Sequence, residues 1–364
     1  MRLTDLDTPA LLIDLDIMER NLARAGEYAR AHDLRLRPHT KTHKIPELGR
    51  RQLALGAAGL TVAKVGEAEV MMAAEPPDLL VAYPIIGRRK LERLMAVARR
   101  TRVTVALDHL LPARQLSDAA REARLSLGVL AEIDVGLNRV GVAPGTELVQ
   151  LVEGLARLPH LSFEGIAFYP GHIRSVDEEG LRALNQVGER VHEALSDLRR
   201  GGFEARIVSG GSTPTLFHSH RAKGVTEIRP GTYIFNDRNT LATGACTLED
   251  CAASILATVV STARPGQIII DGGSKTFSSD RHIAAPEMSF GHVVEAPGAV
   301  FLKMNEEHGY VDVRRAEREF SLGDRLRIIP NHICTAMNLH EEAYGIRGDE
   351  VVEIWRVAGR GKLQ

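Results

Sequence analysis

The chain has 364 residues, 44% of them hydrophobic and 26% charged, the balance of a folded globular protein rather than of a disordered or fibrous one. Lysine and arginine total 46 against 47 aspartate and glutamate, a formal net charge of -1, so no global field favours nucleic acid or an anionic membrane surface, and a small molecule is the expected partner. The length suggests two domains, at about 150 residues each, or one large barrel carrying an extra module.

Three cysteines, Cys246, Cys251 and Cys334, are too few for a disulfide framework and fit a reducing compartment. Asp5, Asp7, Asp14 and Asp16 interrupt the apolar N-terminal stretch, which argues against a signal peptide. The longest apolar runs, such as 79–86 with Pro84 inside it, fall short of the ~20 residues that span a bilayer. The expectation is a cytoplasmic protein with neither membrane nor nucleic acid as partner.

In chain order, a strand-like run at 10–14 comes first. Eight further runs follow at 34–39, 60–64, 79–83, 103–108, 127–134, 163–169, 205–209 and 227–235, alternating with segments of helical period. Between the third and fourth, Leu91, Leu94, Met95 and Ala98 recur at i, i+3, i+4 and i+7, the stripe of a helix packed on a sheet. Eight strand–helix units predict an α/β fold with a closed (β/α)8 TIM barrel, the alternative being an open doubly wound sheet. From about residue 242 the rhythm changes to runs at 254–261, 267–271, 292–295, 299–303, 325–329 and 351–356 with only turns between them. That predicts a second, mainly β C-terminal domain. The expected division is a barrel over 19–241 and a β domain over 242–364, joined by the N-terminal strand of 1–18.

Reactive groups of such a barrel stand where strands end on the C-terminal face. RPHTKTHK places Lys41 and Lys44 with His39 and His43 after the first barrel strand. IDVGLNRVGV brings Asp134, Asn138 and Arg139 after the fifth, and YPGH brings Tyr169 and His172 after the sixth. SGGSTPT and RPGTY follow the seventh and eighth. Gly210, Gly211, Ser212 and Thr213, with Gly231 and Thr232, can present backbone N–H groups and hydroxyls to a phosphate, although glycine pairs also serve ordinary turns. A lysine at such a mouth loses its proton more easily than one in water, and the neutral amine attacks an aldehyde. Further along, His332 and Cys334 form an H-x-C pair whose imidazole and thiolate suit a divalent ion such as zinc; the bland reading is a hydrogen-bonded histidine and a small buried cysteine.

DTPALLIDLD, RPHTKTHK, LTVAKVGEAE, IDVGLNRVGV, YPGH, SGGSTPT, RPGTYIFND, DGGSKTFSSD, NEEHG and PNHICTAMN occur in that order. With this ordered series the chain resembles, over essentially its whole length, the D-threonine aldolase and D-serine dehydratase-like branch of the fold-type III pyridoxal-phosphate enzymes, the alanine racemase barrel. The resemblance implies pyridoxal 5'-phosphate as cofactor, carried by Lys41, which then serves as the base at Cα. It implies that Arg139 approaches the cofactor's phenolic oxygen and that Tyr169 lies beside the ring. Gly210, Gly211, Thr213, Gly231, Thr232 and Tyr233 fall in the phosphate-binding segments, and Arg229 aligns with the racemase arginine that faces the pyridine nitrogen.

The same resemblance implies a catalytic divalent metal, zinc or manganese, on His332 and Cys334. It leaves His172 and His308 as accessory acid or base, or as hydrogen-bonding support for the ligands. H-x-C is the pattern of the D-serine dehydratase-like enzymes and H-x-D that of the better-known D-threonine aldolases. The expected activity is therefore a lyase reaction on D-3-hydroxy amino acids, β-elimination of D-serine or D-threonine to a 2-oxo acid and ammonia, ahead of retro-aldol cleavage to glycine and an aldehyde. An amino-acid racemase, needing a second base and no metal, and a non-catalytic cofactor-binding barrel are the other readings. The partners implied are a small D-amino acid and a second copy of the chain in a homodimer.

Overall fold

The computed structural model describes residues 1–285 and 289–364. The chain divides into two compact units, one made of Ala23–Lys41, Pro46–Gly231 and Lys362–Gln364, the other of Met1–Leu22, Thr42–Ile45 and Thr232–Gly361.

The strands in chain order begin with β1 (Ala10–Asp14). The eight strands of the first unit follow: β2 (Arg35–Leu36), β3 (Leu60–Val62), β4 (Asp78–Val81), β5 (Arg102–Leu107), β6 (Leu127–Glu132), β7 (Leu161–Ala167), β8 (Ile207–Gly210) and β9 (Glu227–Ile228). Among the described residues they pair in the order β2-β9-β8-β7-β6-β5-β4-β3, every pair parallel. The ring closes between its two ends. His39 and Thr61 form a parallel bridge, the Thr40 N–H donates to the Thr61 carbonyl at 2.8 Å, and the Thr61 N–H donates to that of Pro38 at 2.8 Å. The sheet is therefore a barrel, as the alternating pattern predicted, and the doubly wound alternative is excluded.

Alternation along the strands sorts the core into two layers. Val103, Val105 and Leu107 pack outward with Leu91, Leu94 and Met95 of the helix Arg88–Ala98, in one continuous apolar cluster between barrel and helices. Each such aliphatic side chain, fully buried, contributes about 1.5–3 kcal/mol. Leu80, Ala106, Leu130, Ala167 and Ile207 point the other way and form a smaller cluster inside the ring. The predicted strand over 227–235 is cut to Glu227–Ile228. Pro230 has no N–H for the ladder, and Thr232–Ile234 coil into a 3-10 turn.

In the second unit the strands are β10 (Ala253–Arg264), β11 (Gln267–Ile270), β12 (Gly291–Val293), β13 (Val300–Met304), β14 (Gly309–Asp312), β15 (Arg325–Pro330), β16 (Glu342–Arg347) and β17 (Glu350–Arg356). The long β10 pairs antiparallel with both β11 and β15, which closes β10-β11-β14-β13-β12-β15 into a ring among the described residues. β1 runs antiparallel to β10 and parallel to β16, so the N-terminal strand belongs to this unit. The sequence pattern overlooked β14 and β16. β14 is a four-residue GYVD run, and β16 mixes Glu342, Gly345 and Arg347 into its apolar alternation, residues with weak strand preference.

Candidate functional site

In the barrel, Lys41 follows β2 and the His39–Thr61 bridge. Its Nζ lies 5.8 Å from the centroid of the Tyr169 ring, and the Arg139 guanidinium carbon lies 4.9 Å from the same centroid. Lys41 and Arg139 thus both approach the Tyr169 ring. The tyrosine ring takes this position because Gly171 has no side chain: a Cβ there would fall 2.3 Å from ring atom Cε1. Lys44, the other lysine of the motif, is buried in the second unit. Its carbonyl accepts from the Gly359 N–H at 2.9 Å.

The loop after β8 is shaped by close approach as well. A Cβ on Gly210 would meet the Phe168 ring at 2.2 Å, and Gly211 has a φ of +89°, a conformation that favours glycine. Beyond them the Ser212 and Thr215 hydroxyls are 3.0 Å apart at the head of the 3-10 helix Leu216–Arg221. A chain that turns so tightly can bring main-chain N–H groups close to an anion. Arg229 donates to the Phe168 carbonyl at 3.0 Å and to Ser209 Oγ at 3.2 Å. Burial pushes the Glu132 carboxyl up from its ordinary value, opposed by the charges of Arg229 and Arg139.

His172 is half-buried at the rim. A Cβ on Gly136 would come within 3.3 Å of its ring and 2.8 Å of Arg190. Burial, seconded by Arg190 and opposed by Asp134, holds its imidazole below the ordinary histidine value. The Nδ1 atom is buried without a hydrogen-bond partner among the described residues.

The second unit holds the H-x-C pair, at the turn between β15 and the helix Ile333–Met337. Asp237 organises it. One carboxylate oxygen accepts from the Thr240 N–H at 2.7 Å and hydroxyl at 2.8 Å, capping the helix Arg238–Ala242. The other accepts from the Ile333 N–H and lies 3.0 Å from His332 Nδ1. Besides this contact, the His332 imidazole hydrogen-bonds the Cys334 side chain. Cys334 lies against two hydroxyls, with its Sγ 3.3 Å from Thr42 Oγ1 and 3.6 Å from Thr232 Oγ1. The charge of Cys334, against the cost of burial and with support from the Asp237 bond, pushes His332 up to about 11.

This donor set fits a divalent ion. A nitrogen and a sulfur are within hydrogen-bond reach of one another, and the imidazole is oriented through its other nitrogen by a carboxylate, as metal-ligating histidines are. Among the described residues no group of three or more His, Cys, Asp or Glu side chains could hold a metal, so His332 and Cys334 are the two side chains here that would hold one. Thr232, placed with the phosphate segments in the sequence reading, presents its hydroxyl to Cys334, and Tyr233 is buried. His308 is exposed in the turn between β13 and β14 and lines a cleft of about 340 Å³ with Arg264, Gln267 and Tyr310. The sequence reading missed Asp237 and Thr42. Asp237 had a signal, an Asp opening a helix in RPGTYIFNDR; Thr42 had none beyond standing next to Lys41.

No helix among the described residues is long and apolar enough to cross a membrane. Residues 13–239 match the alanine racemase N-terminal domain and residues 252–346 the serine dehydratase domain. The chain is 33% identical over 364 residues to D-threonine aldolase of Arthrobacter sp, covering 99% of this chain and 94% of that protein. It is 35% identical over 374 residues to D-threo-3-hydroxyaspartate dehydratase of Delftia sp., covering 97% of each. The solved structure of D-threonine aldolase from Filomicrobium marinum superposes with a TM-score of 0.93 at 33% identity, covering 100% of this chain and 98% of that one. A structure of D-threo-3-hydroxyaspartate dehydratase in a metal-free form gives a TM-score of 0.88 at 34% identity, covering 98% of each chain. By these matches the chain belongs to the alanine racemase-like, fold-type III family of pyridoxal-phosphate-dependent lyases that act on D-3-hydroxy amino acids as aldolases or dehydratases.

Proposed function

We propose that this protein is a D-3-hydroxy amino acid dehydratase, converting substrates such as D-serine or D-threonine into a 2-oxo acid and ammonia with pyridoxal phosphate and a divalent metal ion. The observation that carries the reading is the H-x-C pair, with His332 oriented by Asp237 and Cys334 beside it. A thiolate and an imidazole favour zinc over harder ions, which makes zinc the expected metal and manganese the alternative.

When bound, the cofactor would supply an electron-accepting ring that acidifies the substrate Cα–H, and a divalent metal would supply Lewis acidity that eases loss of the β-hydroxyl. The chain's own groups divide the remaining work. Lys41 carries the cofactor, and its amine takes the proton from Cα. Tyr169 and Arg139 flank it, and Gly210, Gly211, Thr213 and Gly231 form the phosphate cradle. His332 and Cys334 hold the metal. His172, whose imidazole is kept neutral more readily than an ordinary one, is suited to move a proton at the rim of the barrel; His308 is the other candidate for that role. The working form in this reading is a cytoplasmic homodimer.

Retro-aldol cleavage is the second reading, favoured by the likeness to D-threonine aldolases. Product analysis with D-threonine separates them. 2-Oxobutanoate and ammonia support dehydration, whereas glycine and acetaldehyde overturn it in favour of the aldolase reaction. Metal-independent racemisation of D-alanine would overturn both.

A further inference from the structure

Besides its apolar layer, the barrel interior contains a line of buried charge. Arg37, Asp78, Glu227 and Arg229 are 2%, 7%, 1% and 7% exposed, and Ser209 is fully buried. At one end Asp78 receives two hydrogen bonds from Arg37, at 2.8 and 3.3 Å. Arg37 Nε in turn lies 2.8 Å from Glu227 Oε2. The other Glu227 oxygen accepts from the Ser209 hydroxyl at 2.6 Å, and that hydroxyl accepts from the Arg229 guanidinium at 3.2 Å. Arg229 stands at the C-terminal edge of β9, its own N–H donating to the carbonyl of Gly210 at 2.9 Å. The line therefore ends beside the glycine loop.

Such a line is an expensive way to fill a barrel. Taking ions out of water costs several kcal/mol each, and apolar side chains of the same volume usually stabilise a core at least as well as a buried pair. The same barrel shows the apolar solution as well, with Leu80, Ala106, Leu130, Ala167 and Ile207 in contact. Nor does the line run at random. Ser209 donates toward Glu227 and accepts from Arg229, so each bond polarises the next, and the carboxylate charge is felt at the guanidinium through one hydroxyl. The Phe168 carbonyl holds the second Arg229 nitrogen at 3.0 Å, so the planar fork has two fixed acceptors.

We propose that Glu227, acting through Ser209, is a positioning residue that fixes the Arg229 guanidinium against the pyridoxal-phosphate ring, with Arg37 balancing the carboxylate from behind. The proposal rests on the reading of the barrel as the cofactor site. A guanidinium does not give up its proton. Against the ring of a bound cofactor it could only donate, so its placement would tune how strongly the ring withdraws electrons and how tightly the cofactor is held. Asp78 lies on the far side of Arg37 and serves the barrel rather than Arg229.

The test uses the cofactor-loaded protein and three variants. Ser209→Ala cuts the link and leaves the Glu227–Arg37 pair intact; Glu227→Gln keeps the shape and removes the charge; Asp78→Asn removes a charge of equal burial that does not reach Arg229. The expected result is a shifted visible absorption band and an affinity for pyridoxal phosphate lowered about tenfold, a change of about 1.4 kcal/mol, in Ser209→Ala and Glu227→Gln. Asp78→Asn should lower the melting temperature while keeping the wild-type band and affinity. A band and affinity unchanged in both Ser209→Ala and Glu227→Gln would overturn the proposal, as would an equal shift in Asp78→Asn. Wild-type protein that takes up no pyridoxal phosphate would overturn the cofactor reading along with it.

Discussion

Asp237 and His332 are joined by a 3.0 Å contact between Oδ2 and Nδ1, and the same carboxylate oxygen accepts the Ile333 N–H at 3.0 Å. The buried carboxylate thus sets both the ring orientation and the backbone of the H-x-C turn. An amide at this position still caps the helix Arg238–Ala242 but loses the charge that orders the imidazole. Asp237→Asn is expected to weaken zinc affinity about 10–100-fold while leaving pyridoxal-phosphate uptake intact. Zinc competition titration alongside the cofactor absorbance would check it.

Cys334 lies between the hydroxyls of Thr42 and Thr232. As a core residue it would tolerate serine with modest loss of stability, because little volume is removed. As a ligand it would not, since a neutral hydroxyl replaces a soft thiolate. Cys334→Ser is expected to lose stoichiometric metal and most turnover yet keep the cofactor band. Cys334→Asp is expected to retain a site that prefers manganese to zinc, with residual activity shifted toward carbon–carbon cleavage. Metal analysis and product identification decide both, and stoichiometric zinc with full turnover in Cys334→Ser would sink the assignment.

Removing the metal from the wild-type protein with a chelator is expected to abolish turnover of D-serine and D-threonine and to spare the visible band. Adding back zinc should restore activity in proportion to the metal bound. Undiminished turnover in the metal-free protein would refute the metal requirement.

The two lysines of RPHTKTHK have different surroundings. Lys41 approaches Tyr169, whereas Lys44 is buried with its carbonyl bonded to Gly359. Borohydride reduction of the loaded protein is expected to label Lys41, and Lys41→Ala to abolish the covalent band. A label recovered on Lys44 by peptide mass mapping would contradict this.

Gly171 offers a test of the barrel side of the site. A Cβ there would overlap the Tyr169 ring at 2.3 Å, and crowding of this kind costs about 1–3 kcal/mol. Gly171→Ala is expected to lower the melting temperature by several degrees and to weaken cofactor binding, because Tyr169 must leave its place beside Lys41. Wild-type cofactor affinity in a folded Gly171→Ala protein would show that the ring position is unimportant.

Alternation of strand-like runs with helical stripes by itself determined the α/β class and the two-part organisation. Apolar runs separated by stripes such as Leu91, Leu94 and Met95 favour a closed barrel over an open sheet, the loss of those stripes near residue 242 marks the β domain, and the pairing across the His39–Thr61 bridge decided for closure. The ordered motifs placed Lys41, Tyr169, Arg139 and the H-x-C pair in the chain, since reactive groups cluster where strands end. Only the tertiary structure decided which of them share surroundings. Asp237 and His332 are separated by 95 positions and Thr42 and Cys334 by 292, and no local rule ties such residues together. The line from Arg37 to Arg229 was equally invisible, because its members come from β2, β4, β8 and β9 and their edges, and a buried charge resembles a surface one in sequence until its partners are known. Lys41 and Lys44 differ for the same reason. Three positions apart in one motif, they part only when the chain passes from the barrel unit at Lys41 to the β unit at Thr42.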